Sequence, residues 1–74
     1  MNSEPIFITA DMREADSVER ILDTAGVKYS LHLDAIAREG GACYQGILYE
    51  VSNDDAEKCR RLIQKNGLVP FRTG

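Results

Sequence analysis

The sequence predicts an α+β domain built from two strand–helix–strand units, and three observations lead to that prediction. The first is a repeat at a spacing of 41 residues within a chain of 74. The second is an apolar stripe of helical period in each half, and the third is an alternating segment between them. The repeated positions are Ala15, Val18, Ile21, Leu22 and Gly26 in the first half and Ala56, Cys59, Leu62, Ile63 and Gly67 in the second. A chain of this length is expected to form a single domain, residues 1–74.

The first half begins with a short strand and continues into a helix. The apolar run from Ile6 to Thr9 is typical of a strand that is buried on both faces, and therefore of a central strand. Asp11, followed three residues later by Glu14, predicts a helix start in which each side chain bonds a free backbone amide. After the apolar stripe, Gly26 predicts a left-handed helix cap.

The middle of the chain changes character at Leu33. From Val27 to Leu33 apolar and polar residues alternate, which predicts a half-buried strand with one solvated face. From Asp34 to Gln45 there is no clean period, and this stretch contains Gly40 and Gly41. We therefore predict a hairpin loop of about a dozen residues, with room for a short helical turn at residues 35–37. Ordinary hairpin loops have about two to five residues, so this loop would be unusually long.

The second half repeats the pattern of the first. Ile47 to Val51 is predicted to be the third strand, and Ser52 is predicted to cap the helix that follows. Gly67 ends that helix, as Gly26 ends the first one. Leu68 to Phe71 would form a short last strand, which belongs at an edge because a proline cannot donate a ladder hydrogen bond.

The resulting order is β-α-β-β-α-β, which is the ferredoxin-like arrangement. It has a four-stranded antiparallel sheet with two helices on one face. The first and third strands are expected in the centre, and the second and fourth strands at the edges. Since open sheet edges on a small domain invite self-association, we expect a dimer or a higher oligomer.

Most reactive side chains have an architectural explanation. Cys59 repeats the position of Val18 and is expected to be a buried core thiol. His32 lies on the polar side of the alternating strand, which favours a solvated or interface histidine. A metal site formed by His32 and Cys43 is a further hypothesis, but two ligands are too few for a closed zinc site unless a second subunit supplies more, so we predict no metal. No set of nucleophile, base and orienting group can be named, so we predict no catalytic residues, no cofactor and no enzyme activity.

The segment that the repeat leaves unmatched runs from His32 to Tyr44. Any function particular to this protein is expected to lie there. The candidate partner-binding or ligand-binding residues are His32, Arg38, Gly40, Gly41, Cys43 and Tyr44.

Charge and hydropathy argue against two classes of partner. The formal net charge is −3 and the isoelectric point about 5.0, which does not favour nucleic-acid binding. The cluster of Lys58, Arg60, Arg61 and Lys65 falls in the second half of a helix, where cations complement the helix dipole. No signal peptide and no apolar run of about 20 residues is visible, so we expect a cytoplasmic protein without a membrane partner.

Two stretches of the chain also resemble a known family. Residues 8–22 (ITADMREADSVERIL) with 25–27 (AGV) look like the opening of a small bacterial signal-transducing protein family, and residues 55–63 (DAEKCRRLI) resemble its second helix. Members of that family are similar in fold to the nitrogen-regulatory PII proteins. The resemblance implies a ferredoxin-like module with no established catalytic residues. PII proteins contact partners through a long loop between their second and third strands, and Asp34 to Gln45 occupies the corresponding place here, without a convincing ATP-binding set.

These observations lead to four functional hypotheses. The first is a non-enzymatic regulatory or signal-transducing module that binds a protein partner through the 34–45 loop and the strand edge at Val27–Leu33. The second is a small-metabolite sensor with a ligand site at a subunit interface. The third is metal binding through His32 and Cys43, and the fourth is a structural oligomerisation unit without a ligand.

Overall fold

Three strands and two helices follow one another in the computed structural model of the chain, which describes residues 2–37 and 43–71. The elements are β1 (Ser3–Thr9), α1 (Met12–Thr24), β2 (Tyr29–Ala37), β3 (Cys43–Ser52) and α2 (Asn53–Lys65). The three strands form one antiparallel sheet in the order β1-β3-β2. The predicted α+β class is therefore confirmed. Neither helix in the described ranges is long and apolar enough to cross a membrane.

Helix α1 begins and ends at the predicted residues, although one bond of its first turn differs. The Asp11 carboxylate accepts a hydrogen bond from the Arg13 amide at 2.8 Å, as expected of an N-cap. Glu14 does not reach back to the Asp11 amide. That amide instead donates to the Thr9 hydroxyl at 3.0 Å, and the hydroxyl donates to Glu14 at 2.6 Å. At the other end Gly26 has a φ of 71°, so the predicted left-handed cap is confirmed.

Helix α2 repeats this design. Ser52 accepts a hydrogen bond from the Asp54 amide at 3.3 Å, which confirms the predicted cap. Gly67 follows the helix with a φ of 83°, and the Leu68 amide then donates to the Ile63 carbonyl at 3.1 Å. The 41-residue repeat therefore corresponds to two helices that each begin with a side-chain N-cap and end just before a glycine of positive φ.

The hairpin of β2 and β3 is longer than the sequence predicts. The two strands pair without a register shift from Tyr29↔Val51 to Ala37↔Cys43, so the prediction of a loop from Asp34 to Gln45 is wrong. A helical turn at residues 35–37 is also wrong, because these residues belong to β2. The connection is residues 38–42. Each added backbone pair satisfies donors and acceptors whatever the side chains are, so the ladder continues where the apolar alternation stops.

Strand β1 contains a bulge that explains its apolar run. Pro5 is paired with Glu50 and Phe7 with Tyr49, so Ile6 is an extra residue on the β1 side. Ile6 and Phe7 are both buried in the same core cluster. The run was predicted to mean burial on both faces of a central strand, whereas β1 is an outer strand of the described three-stranded sheet.

The segment after α2 runs beside the outer edge of β1. The Phe71 amide donates to the Ile6 carbonyl at 2.7 Å. In the described part of the chain, however, Leu68 to Phe71 is not a strand of the sheet. The structure therefore shows three strands where four were predicted.

The core lies between the helices and one face of the sheet. Its helical members come from both apolar stripes, and Tyr49 and Val51 of β3 lie among them. The buried residues of the two helices' stripes are Ala15, Val18, Leu22, Ala56, Cys59 and Ile63. Cys59 is fully buried with a free thiol, which confirms its prediction as a core residue.

Candidate functional site

The outer edge of β2 is an open edge of the sheet in the described part of the chain. In the described ranges β2 is bonded to β3 on one side and to no strand on the other. The strand has nine residues, from Tyr29 to Ala37. Leu31 is 51% exposed and Leu33 is 71% exposed. An edge of unpaired backbone groups beside exposed leucines is a surface suited to pairing with another strand.

The two faces of this edge differ in chemistry. Leu31 is paired with Tyr49, which is buried under the helices, and cross-strand partners point to the same face. Leu31 and Leu33 therefore extend the helix-side face beyond the helices. His32 points to the opposite face, where its Nε2 atom lies 2.8 Å from Oε1 of Glu50. The edge thus has an apolar side and a charged side.

His32, one of the predicted site residues, lies beside Glu50 in the structure. The His32 side chain is about half exposed, as expected of a solvated or interface residue, and the Glu50 side chain is mostly buried. The described residues contain no group of three His, Cys, Asp or Glu side chains that could hold a metal ion. The Glu50 carboxylate, 2.8 Å from Nε2, orients the imidazole ring of His32 at the edge.

Of the remaining predicted residues, two lie in β3 and three lie outside the described residues. Cys43 and Tyr44 begin β3, where they pair with Ala37 and Ile36, and their side chains lie outside the described set. Arg38, Gly40 and Gly41 lie outside the described residues. His32, Cys43 and Tyr44 belong to one hairpin, and of these three only His32 has a described side chain.

Register rules out a metal ion shared by His32 and Cys43 within one chain. His32 lies opposite Leu48, five residues along β3 from Cys43. At about 3.4 Å per residue the two positions are roughly 17 Å apart, whereas a metal ligand atom lies about 2 Å from the ion. The hypothesis of such a site is therefore wrong for a single copy of the chain.

Arg60 is a residue that the sequence reading missed. It was grouped with three other cations that complement the dipole of the helix, yet it is only 6% exposed. Its Nε donates to the Phe71 carbonyl at 3.1 Å and its Nη2 donates to the Pro5 carbonyl at 3.0 Å. Nη2 also lies 3.3 Å from the Glu4 carboxylate. The guanidinium thus bonds the segment after α2 to β1.

The repeat contained a signal for this residue. Arg60 follows Glu19 by 41 positions, and each comes directly after a fully buried residue of its helix, Cys59 and Val18 respectively. Glu19 is also engaged, since its carboxylate accepts a 2.7 Å hydrogen bond from the hydroxyl of fully buried Tyr49. Burial, followed by this hydrogen bond, raises the pKa of Tyr49 well above its usual value. In each helix, the charged residue that follows this buried residue is therefore hydrogen-bonded to the sheet.

A cleft of about 490 Å³ lies beside the first residues of β2. Its lining residues carry both signs of charge, with Lys28 as the cation and Glu50 and Asp55 as the anions. The remaining lining residues are Asn2, Ser3, Gly26, Tyr29, Ser30, Val51 and Ser52. This volume suits a small molecule, and the charged lining residues could bind polar groups on it.

Comparison of the chain with models of protein families, with curated proteins and with solved structures found no match. The functional conclusion therefore depends on the geometry of the β2 edge, the hairpin and the cleft.

Proposed function

We propose that this chain is a small, non-enzymatic regulatory or signal-transducing module that acts through protein contacts. Its contact surface is the outer edge of β2 together with the tip of the β2–β3 hairpin. The observation that supports this function is the nine-residue open edge with Leu31 and Leu33 exposed. A strand added to such an edge gains affinity from backbone hydrogen bonds and specificity from alternate side chains.

The roles of the described charged side chains favour binding over catalysis. Asp11 caps a helix, and Glu19 and Arg60 anchor helices to the sheet. Glu50 is engaged with His32 at the edge. Each of these groups has a structural partner, so the proposal assigns function to the surface and not to a reactive centre.

The complete fold that we propose is the four-stranded ferredoxin-like one, with Leu68–Phe71 added beside β1. The hydrogen bond from Phe71 to Ile6 and the two carbonyl bonds of Arg60 support this addition. Together with the order β1-β3-β2 it would complete the expected arrangement. Membership of the PII-like signal-transducing family and a cytoplasmic location belong to the same proposal.

The test is a comparison of two double variants that make the same chemical change at different places. L31K/L33K puts two lysines beside the β2 edge, where they disfavour strand addition. M12K/V69K is the control, because Met12 and Val69 are 70% and 83% exposed. Proximity labelling in the source cells should lose its specific partners with L31K/L33K and keep them with M12K/V69K. Partners retained by both variants would contradict the proposal.

The cleft beside β2 favours a second function, that of a small-metabolite sensor. Lys28 and Asp55 could bind the opposite charges of one zwitterionic ligand, and the adjacent β2 edge would place that ligand next to a subunit interface. A thermal-shift screen of polar metabolites tests this function. A shift of several degrees by one compound class, abolished by Ser30→Tyr in the cleft wall, would support the sensor.

A further inference from the structure

The two outer edges of the described sheet are protected very differently. On β1, Pro5 removes a donor, Ile6 forms a bulge, and Phe71 bonds the backbone from outside. On β2 the pairing with β3 has no bulge, and the strand contains no proline and no lysine. Asp34 is its one acidic residue. Natural edge strands that must stay unpaired usually carry such devices, so β2 has the properties of a strand that is paired in use.

We propose that the strand that pairs with this edge is β2 of a second copy of the chain. This inference rests on the proposed function, because it names the partner of the same edge. The two copies run antiparallel about a two-fold axis, so that the two three-stranded sheets become one continuous sheet. A two-fold contact uses the same surface on both copies, which makes its register a testable geometric statement.

The register follows from the length of the strand. Leu33 is the middle residue of Tyr29–Ala37, so an axis at Leu33 pairs all nine residues of each strand over roughly 30 Å. Leu33 then lies opposite Leu33 of the partner subunit. Leu31 lies opposite Ala35 of the partner subunit. Both leucines, which are exposed in the single chain, are covered on the helix-side face.

The charged face supports the same register. With the axis at Leu33, His32 lies opposite Asp34 of the partner subunit. His32 then has an acidic neighbour on each side, namely Glu50 in its own chain at 2.8 Å and Asp34 across the axis. If the axis lay at His32, the two histidines would face each other instead. A carboxylate can accept a hydrogen bond from an imidazole N–H across a strand pair in either protonation state of the ring, whereas two facing imidazoles repel each other when both are protonated, which favours the axis at Leu33.

Sedimentation equilibrium from about one to a few hundred micromolar tests the assembly. The wild-type chain is expected to form a two-chain particle. Leu33→Lys places two ammonium groups against each other at the axis and should raise the dissociation constant about tenfold or more. Val69→Lys makes the same change at another exposed site and should leave the constant unchanged. Circular dichroism shows whether both variants are folded. A wild-type chain that stays monomeric over this range overturns the proposal.

Disulfide trapping tests the register. In a Cys43→Ser background the remaining thiol, Cys59, is buried. Leu33→Cys should give a covalent dimer under mild oxidation, because residue 33 faces itself across the axis. His32→Cys, whose partner would be Asp34, should give much less. Efficient trapping by His32→Cys and not by Leu33→Cys would move the axis and overturn the register.

The outcomes also separate this inference from the function on which it rests. A monomer whose protein partners depend on Leu31 and Leu33 refutes the self-pairing and keeps the binding function. A dimer trapped through residue 33, without any partner that depends on the edge, supports the self-pairing and contradicts a regulatory contact at the β2 edge.

Discussion

Arg60 offers the sharpest test of how this small domain is held together. Arg60→Met keeps an unbranched apolar stem and removes the guanidinium, so the Pro5 and Phe71 carbonyls lose donors at 3.0 and 3.1 Å. Hydrogen bonds to a charged group contribute about 1.5–3 kcal/mol each. Relief of the cost of burying a charge offsets part of this loss. The carbonyls remain in place without their partner, so we expect a net loss of about 2 kcal/mol.

Such a loss is large for a domain of this size. Stability of about 0.05–0.15 kcal/mol per residue corresponds to roughly 4–11 kcal/mol in total. A loss of about 2 kcal/mol should lower the melting temperature by roughly 8–16 °C. Arg60→Lys should fall between wild type and Arg60→Met, because an ammonium group keeps the charge but cannot reproduce the planar fork of donors.

The assay is urea unfolding followed by circular dichroism, with Arg61→Met as the matched control. Arg61 is the exposed neighbour on the same helix, so the control removes the same charge without removing the buried bonds. Amide hydrogen exchange of Phe71 gives a local readout, because its N–H donates to Ile6. The reasoning is refuted if Arg60→Met and Arg61→Met agree within about 0.5 kcal/mol, or if exchange at Phe71 is unchanged in Arg60→Met.

Three further outcomes are expected. Tyr49→Phe removes the 2.7 Å bond to Glu19 and should cost about 1–2 kcal/mol in urea unfolding at neutral pH. Burial, and then that bond, raise the pKa of the Tyr49 hydroxyl above its usual 10.0 in the folded protein. As the pH rises, the unfolded chain therefore loses the hydroxyl proton before the folded protein does. The free energy of unfolding of the wild type should fall above about pH 10, and its difference from that of Tyr49→Phe should narrow. Gly26→Ala should cost about 1 kcal/mol in the same assay, since φ is 71° and an added Cβ meets no atom within 4 Å, which leaves backbone strain as the cause. In Cys43→Ser protein, Cys59 should react with a thiol reagent only as urea unfolds the chain, because burial removes access and raises its pKa; stoichiometric reaction of the native protein would show that the thiol is accessible.

Features that depend on neighbours in sequence could be predicted well. The caps at Asp11 and Ser52 and the glycine stops at Gly26 and Gly67 involve bonds within a few residues, so composition and spacing reveal them. The apolar stripes predicted which helix faces are buried, including Cys59, for the same reason.

The candidate site was predictable only in part. The alternating pattern indicated an edge strand and an exposed His32, and the structure has both in the described ranges. Where β2 ends was not predictable, because the backbone ladder beyond Leu33 needs no apolar alternation. That the outer side of β2 has no neighbouring strand in the described ranges follows from the strand order β1-β3-β2, and no residue within β2 encodes that order.

The sequence by itself thus determined the order of the first five elements, their caps and the buried stripes, because those depend on periods and contacts of a few residues. Only the tertiary structure decided three other matters, namely the bulge at Ile6, the length of the hairpin and the burial of Arg60. Each of these depends on atoms that are distant along the chain. Arg60, for example, bonds Pro5 from 55 residues away, and no local pattern encodes which backbone carbonyl a long side chain will meet once the helices have packed on the sheet.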